Sequence, residues 1–535
     1  MTEKGDGQLP TEQDGDEKAR LPDELSRVLE EVRDVNTLFK PDAKLDRAIS
    51  DASREYPDLG ERLLKRAHQI FEAAGKAVEA GERSVEGSHV AAVRAAEAAS
   101  RVFAKQEDAK EMWAQARFTL CCLLHVLGST SEGAVSRNFF ARAVEAGEDA
   151  VRESPKGDPE GHWVAAQLGL SHVLHRMAED EENGSAARAL LERAAEAARQ
   201  AQTVHTRKDH PRQWSKLQTH IGQVLLDLVD RLPPEDLSGA LEDVVEVLEG
   251  ALEVLDRKID PQEWAQAHEL IARVCNLQGM TADGGKARAL FSRAAKALEA
   301  ALRVIARADD PHRWAKIQGD LGMALHGQAL RGGDAVAGRL NARAVDAYES
   351  ALIVFTPEES PAYCSIFNSY LSNTLFIMAS TVESHKKARR LLARSANALE
   401  TAIRIQERGG VTSELYANRT RLAGILQQQA MRSSEKEIMP LLTRAGEVCD
   451  LALAETRRSR RPKDGPPMSL IFGNIVTELA VIGGNSKKVI DLRSKAVRLL
   501  KDELNALGWG ARNNRSEKRE LLEKLQNAGR EVSDS

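Results

Sequence analysis

Apolar positions recur along this chain at helical spacing, and the blocks that carry them recur in turn. Five of the six tryptophans, Trp113, Trp163, Trp214, Trp264 and Trp314, stand 50, 51, 50 and 50 residues apart. With each Trp as position 0, position +7 is Leu120, Leu170, Ile221, Ile271 and Leu321. Position +11 is Leu124, Leu174, Leu225, Cys275 and Leu325, and position +8 is always small: Cys121, Ser171, Gly222, Ala272, Gly322. Positions 0, +7 and +11 fall on one stripe of an α-helix. Each block therefore predicts a first helix of roughly 18–20 residues, near 30 Å long. The stripe faces the core, and the small +8 residue lets a neighbouring helix approach closely.

A second, Ala-rich helix follows in each block, with text such as RAAEAARQA and RAAKALEAALRV. An arginine recurs in it about every 50 residues: Arg142, Arg193, Arg293, Arg343, Arg394, Arg444 and Arg493, with Asp243 interrupting the series. The joints between blocks read Asp158-Pro159, Asp260-Pro261 and Asp310-Pro311, an N-cap followed by a first-turn proline. His210-Pro211 and Ser360-Pro361 are variants. Gly133, Gly184, Gly239, Gly284 and Gly338 fall where the first helix is expected to stop. Cys364, Leu415 and Phe472 take the Trp place in later blocks, and residues 60–108 form a degenerate first one.

A single helix pair of this kind cannot bury its apolar stripe alone, so neighbours must stack into one continuous core. The fold expected is all-α, an α-solenoid of about nine antiparallel helix pairs over residues 60–507. The units lie near 60–108, 109–157, 158–208, 209–258, 259–308, 309–358, 359–409, 410–465 and 466–507. Before them, residues 1–20 read as a disordered acidic tail and 21–59 as an N-terminal capping region. After them, 508–535 read as a tail with a short capping helix.

The Trp, the Leu-Gly or Ile-Gly step (Leu321-Gly322, Ile221-Gly222), the following Leu, the Ala-rich second helix and the joint proline resemble the tetratricopeptide-repeat (TPR) family. The resemblance covers most of residues 60–507. Two features depart from it: the period is 50 rather than the family's 34, and Trp precedes the small residue by eight positions. An elongated member follows, with at least one extra turn per helix. The resemblance also implies a right-handed superhelix and a concave groove, lined by first helices, that binds protein segments.

Composition agrees with long amphipathic helices: 77 alanines, 4% aromatic and 29% charged residues. A net charge of −6 gives no electrostatic case for nucleic acid. Five cysteines, an odd number, fit reduced thiols in a cytoplasmic protein. The polar, acidic start lacks the apolar run of a secretory signal, and no stretch approaches a membrane span.

No P-loop, GxSxG, HExxH, EF-hand or paired CxxC pattern is present. His172 and His175 stand at i, i+3, and Cys121 and His125 at i, i+4, so each pair shares a helix face. A zinc site would need both pairs to converge, and no further ligand completes the set. The expectation is a protein without enzymatic activity, metal or cofactor.

Two interaction features remain. The recurrent arginines would either bind an acidic peptide or make the same neighbour contact in every repeat. An acidic residue six positions on (Glu148, Glu249, Glu299, Glu349, Glu400) favours the second. The segment Arg457, Arg458, Arg460, Arg461, Lys463 would either dock an acidic group or form a solvated loop.

Function should lie where the repeats differ. Positions +5, +9 and +12 are expected to share a face off the core stripe. At +5 stand Phe118, Leu168, Thr219, Glu269 and Gly319. Cys122, His172, Gln223, Arg273 and Met323 occupy +9, and His125, His175, Leu226, Asn276 and His326 occupy +12. These residues are the candidate groove. The function expected is a non-catalytic scaffold or adaptor that holds a protein or peptide segment there, with a homo-oligomer left open. The alternative is a sensor subunit whose small-molecule or nucleic-acid ligand controls a separate effector enzyme.

Overall fold

The computed structural model describes residues 21–456 apart from 32–42, 80–85, 158–160, 234–235 and 410–413, together with residue 475. Among the described residues the only regular structure is helix. Two helices, α1 (Asp23–Glu31) and α2 (Ala43–Glu55), precede eight pairs. The pairs are α3 (Leu59–Glu79) with α4 (Glu86–Phe103), α5 (Lys110–Thr130) with α6 (Gly133–Glu153), α7 (His162–Glu179) with α8 (Gly184–Gln202), and α9 (Pro211–Val229) with α10 (Leu237–Leu252). Then come α11 (Pro261–Thr281) with α12 (Gly284–Ala301), α13 (Pro311–Ala329) with α14 (Asp334–Leu352), α15 (Pro361–Thr381) with α16 (His385–Gly409), and α17 (Leu415–Ala430) with α18 (Glu435–Thr456). The expected ninth pair, both tails and the Arg457–Lys463 segment lie outside the described residues.

The chain divides into two compact units, Met1–Leu270 and Ile271–Ser535. In the first, every helix from α3 to α10 packs on its chain neighbours; in the second, every helix from α12 to α18 does. First helices also touch across a repeat, α5 with α7 and α13 with α15. Two residues join α5 to α6, which forces the pair antiparallel. Each unit is thus a stack of TPR-like helix pairs, the solenoid arrangement that the repeat requires.

The repeated stripe is buried. Every +7 and +8 residue lies below 9% exposure, as does every +11 residue except the half-buried Leu225. At +8 the reason for small residues is visible: a Cβ on Gly322 would stand 2.7 Å from the Tyr348 ring, and one on Gly222 2.5 Å from Leu248. The tryptophans lie nearer the rim than the stripe implies. Trp163 is buried, while Trp113, Trp214, Trp264 and Trp314 are half-buried. A cation seven residues upstream covers three of the rings, Lys156 over Trp163, Arg207 over Trp214 and Arg307 over Trp314, at 5.1–5.8 Å from the centroid.

The joints follow their capping chemistry only in part. Asp310 accepts the Arg313 N–H at 3.0 Å ahead of Pro311, whereas His210 and Ser360 make no side-chain cap. The glycines do not mark first-helix ends alone. Gly133, Gly184 and Gly284 open the second helix, and Gly133 and Gly284 do so at positive φ of 60° and 49°. Gly239 and Gly338 sit inside α10 and α14.

Five of the recurrent arginines reach back to an acid of the preceding repeat: Arg142 to Glu97, Arg193 to Glu148, Arg343 to Glu299, Arg394 to Glu349 and Arg444 to Glu400. Most of these pairs are about half exposed, so each contributes ~0–1 kcal/mol. Their repetition sets the register of one second helix on the next.

At the start of the first unit, α4 is buried continuously from His89 to Ser100, because α1, α2, α3 and α5 all pack on it. Arg94, 3% exposed, donates to Val28 O at 2.8 Å and Leu29 O at 3.4 Å. Those carbonyls belong to the last turn of α1, where helices leave acceptors unsatisfied.

Candidate functional site

Exposure along the first helices identifies the open face. Positions +2, +9 and +16 lie on one line of the helix, and they carry the solvent-facing residues. In the first unit the line includes His172 and Glu179 on α7, and Lys216 and Gln223 on α9 with Asp230 at its C-cap. In the second it includes Lys316 and Met323 on α13 with Leu330 at its C-cap, and Ile366 and Asn373 on α15.

Of the candidate groove residues, those at +9 are on this line: Cys122, Gln223 and Met323 are half-buried, and His172 and Arg273 exposed. The other two offsets turn away. Phe118, His125, Leu168, His175 and Glu269 are half-buried, whereas Leu226, Asn276 and His326 are buried at 0%, 3% and 9%. Those three are not open groove positions. The physical reason is clearest at His326, whose Nδ1 lies 3.0 Å from Asn341 Oδ1 and whose Nε2 accepts from Asn373 Nδ2 at 3.2 Å. It bridges its own pair to the next, and burial lowers its pKa. The +12 position is an inter-repeat contact.

The first unit holds a cleft of about 800 Å³ beside α7 and α9. Val164, Leu168 and His172 line one side, and Gln213, Lys216, Leu217 and His220 the other. The loop after α8 supplies Val204, His205 and His210, and the start of α11 supplies Glu263 and Gln266. Lys216 and Glu263 form an ion pair.

Four histidines in one cleft require an account of their protons. Ser171 Oγ donates to Ala194 O at 2.7 Å, so its remaining contact, His220 Nε2 at 2.8 Å, must be accepted by the hydroxyl oxygen. His220 is thereby fixed as the Nε2–H tautomer. Its ring meets the His172 ring edge-on at 4.1 Å between centroids. Burial, then His172 and His175, hold His220 well below the ordinary imidazole pKa. His172 is also drawn down by desolvation, then by His125 and His175, although its ring is open to water. Desolvation and then His210 lower His205. At neutral pH His172, His205 and His220 offer uncharged imidazoles, each both donor and acceptor, among aliphatic side chains.

Deeper along the same two helices, His175 Nε2 lies 2.8 Å from Asp227 Oδ2, and Gln223 Nε2 donates to that same oxygen at 2.8 Å. Arg231 donates to Asp227 O at 2.8 Å and to Ala178 O at 3.3 Å, tying α9 to the end of α7.

The sequence reading missed His205, His210, His220 and Asp227. Six of the 13 histidines stand between residues 162 and 220, and that density was the available signal. The sequence weighs Cys121 with His125 as a ligand pair and sets it aside in favour of Cys121 as the small core residue of its repeat. Cys121 is fully buried and its thiol is pushed far up by desolvation, so it belongs to the core. All five cysteines are free thiols.

The second unit carries a different face. Tyr363, Ile366 and Tyr370 project from α15 at 40%, 40% and 41% exposure. Tyr363 stacks on Phe355 at 4.7 Å and on Phe367 at 6.0 Å.

No protein-family model and no curated protein matches the chain. Among solved structures, a human IFIT1 dimer with PPP-AAAA is similar at 13% identity and TM-score 0.29, over 89% of this chain and 99% of that one. A signal transduction ATPase with numerous domains and a tetratricopeptide repeat sensor, from Pyrococcus horikoshii, is similar at 11% identity and TM-score 0.31, over 83% and 72%. The S. pombe nuclear import adaptor Nro1 is similar at 13% identity and TM-score 0.25, over 66% and 95%. Among the described residues, no helix is long and apolar enough to cross a membrane.

Proposed function

We propose that this chain is a non-catalytic cytoplasmic scaffold that takes a protein segment on the open face of its first helices. The histidine-lined cleft beside α7 and α9 is the principal seat. The observation that supports the reading is the cleft itself: neutral imidazoles and a Gln amide stand among Val164, Leu168, Val204 and Leu217. Such a surface suits a segment with alternating apolar and polar groups. The Ser171 hydroxyl beside His220 is buried and its proton is engaged by Ala194 O, so that serine is not set up to attack a substrate. The free thiols agree with a reducing compartment.

The volume also falls within the range of small-molecule sites, which keeps a ligand-controlled regulatory subunit as the second reading. One experiment addresses both. His172→Glu with Gln213→Glu changes two exposed residues, so helix content and melting should match the parent. Capture of the principal partner from the host should weaken at least tenfold, ~1.4 kcal/mol. Arg199→Glu, on the exposed surface of α8, should leave capture intact. Unchanged capture by the cleft variant removes the scaffold reading at this site.

A further inference from the structure

His175, Glu179 and Asp227 each present one ligand atom within 4.8 Å of the other two. None of the three lines the cleft. His175 and Glu179 are one turn apart on α7, so they share a face; Asp227 comes from α9, 52 residues further along the chain. We propose that this trio is a binding site for a divalent first-row transition ion, held through His175 Nε2 and the two carboxylates, with water completing the coordination.

The chemistry matches that class of ion. One imidazole and two carboxylates supply a borderline nitrogen and two hard oxygens, and two negative charges to offset 2+. Tetrahedral ligands at ~2.1 Å from an ion stand ~3.4 Å from one another. His175 Nε2 and Asp227 Oδ2 lie 2.8 Å apart, so they part by about 0.6 Å to admit the ion between them. The remaining adjustment falls on Glu179, which is exposed and free to rotate about its own side chain. Its present partner, Arg176, forms an exposed pair worth ~0–1 kcal/mol, a weak competitor for a metal ion.

The surroundings hold the ligands as metal sites require. Gln223 steadies the Asp227 carboxylate from outside, the role of an outer-shell hydrogen bond. Arg231 bonds carbonyls of both helices and so fixes the separation that the ion must span. Binding takes the lone pair of His175 Nε2. The proton shared with Asp227 is displaced and returns to the ring at Nδ1 through solvent, so a neutral ring stays neutral and gains one metal bond. The bound ion would clip α7 to α9, adjacent first helices beside the cleft. The sequence reading set His172 and His175 against a distant Cys-His pair, and so passed over the acid that folding supplies.

The test uses the full chain freed of metal by chelation and dialysed. Titration with Zn2+ at neutral pH should show one saturating equivalent and a raised melting temperature, and Co2+ should develop the visible bands of a low-symmetry site. Asp227→Asn and Glu179→Gln should each weaken Zn2+ at least tenfold. His172→Gln, one turn away and outside the trio, should stay within twofold. Glu179 is exposed, so its variant reads ligation even if Asp227→Asn disturbs packing. Absence of a stoichiometric equivalent overturns the proposal, as does full Zn2+ affinity in Glu179→Gln. Loss of binding in His172→Gln also overturns it, because the ion would then sit on the His172–His220 pair.

Discussion

The α7/α9 face of the first unit and the α13/α15 face of the second are built on the same offsets and differ in nearly every accessible group. At +6 stand His220 and Tyr370; at −1, Gln213 and Tyr363; at +2, Lys216 and Ile366. Beneath them the +7 and +8 residues are buried alike in both. A stack of repeats thus separates two tasks that a globular domain mixes. Burial at two adjacent offsets holds each pair on the next, and the opposite line is left to vary without cost to the stack. The first unit uses that line for polar groups that can take or give a proton. The second uses it for aromatic surface, with Tyr363 stacked on Phe355 and Phe367.

The largest contrast should come from adding one methyl group at the shared +8 offset. At Gly322 the new Cβ meets the rigid, fully buried Tyr348 ring, while at Gly222 it meets the branched end of Leu248. Gly322→Ala should lose ~1–3 kcal/mol through overpacking, partly offset by ~1 kcal/mol of helix propensity. Gly222→Ala should lose less, because Leu248 can change rotamer. Hydrogen exchange in α13 and α14 against α9 and α10 checks the order, and equal losses would remove the distinction between ring and aliphatic neighbours.

Acid should discriminate next. Burial lowers the pKa of His89, His125 and His220 in the first unit and of His326 in the second. An unfolded segment takes a proton near the ordinary value of 6.5, while the folded one resists. Below that value the unfolded state therefore binds more protons, and stability present above it is lost as pH falls. With more such groups, the first unit should lose protection faster between pH 6.5 and 5. A pH-independent exchange pattern in α4, α5 and α9 would contradict the buried, neutral assignment.

The smallest effect belongs to the arginine ladder. Arg193→Gln in the first unit and Arg394→Gln in the second should each cost below ~1 kcal/mol, and less in high salt. A loss several times larger in either unit would show that its rung holds more than register.

The repeat itself was legible in the sequence because burial acts on a stripe, and a stripe leaves a period. Helix pairing followed from it. The open face was legible only at +9. Offsets +5 and +12 share a side with +9 on an isolated helix, but in the stack the partner helix and the next repeat close over them, as Asn341 and Asn373 close over His326. The acids that five arginines reach were not evident for a related reason: an acid six residues away in sequence is also an acid one repeat back in space. His220 and Asp227 depend on contacts 49 and 52 residues distant, to Ser171 and His175, and no local pattern reports those.

The cation over three of the tryptophans has an optical consequence. Lys156, Arg207 and Arg307 reach their indoles from just before the next first helix, so each pair straddles one joint. An indole that loses its cation and gains water changes its emission wavelength and lifetime. The half-buried tryptophans, spaced one per repeat, form a set of built-in gauges. With all but one replaced by phenylalanine, the remaining emission would follow the bending or opening of a single joint while the rest of the stack stayed dark.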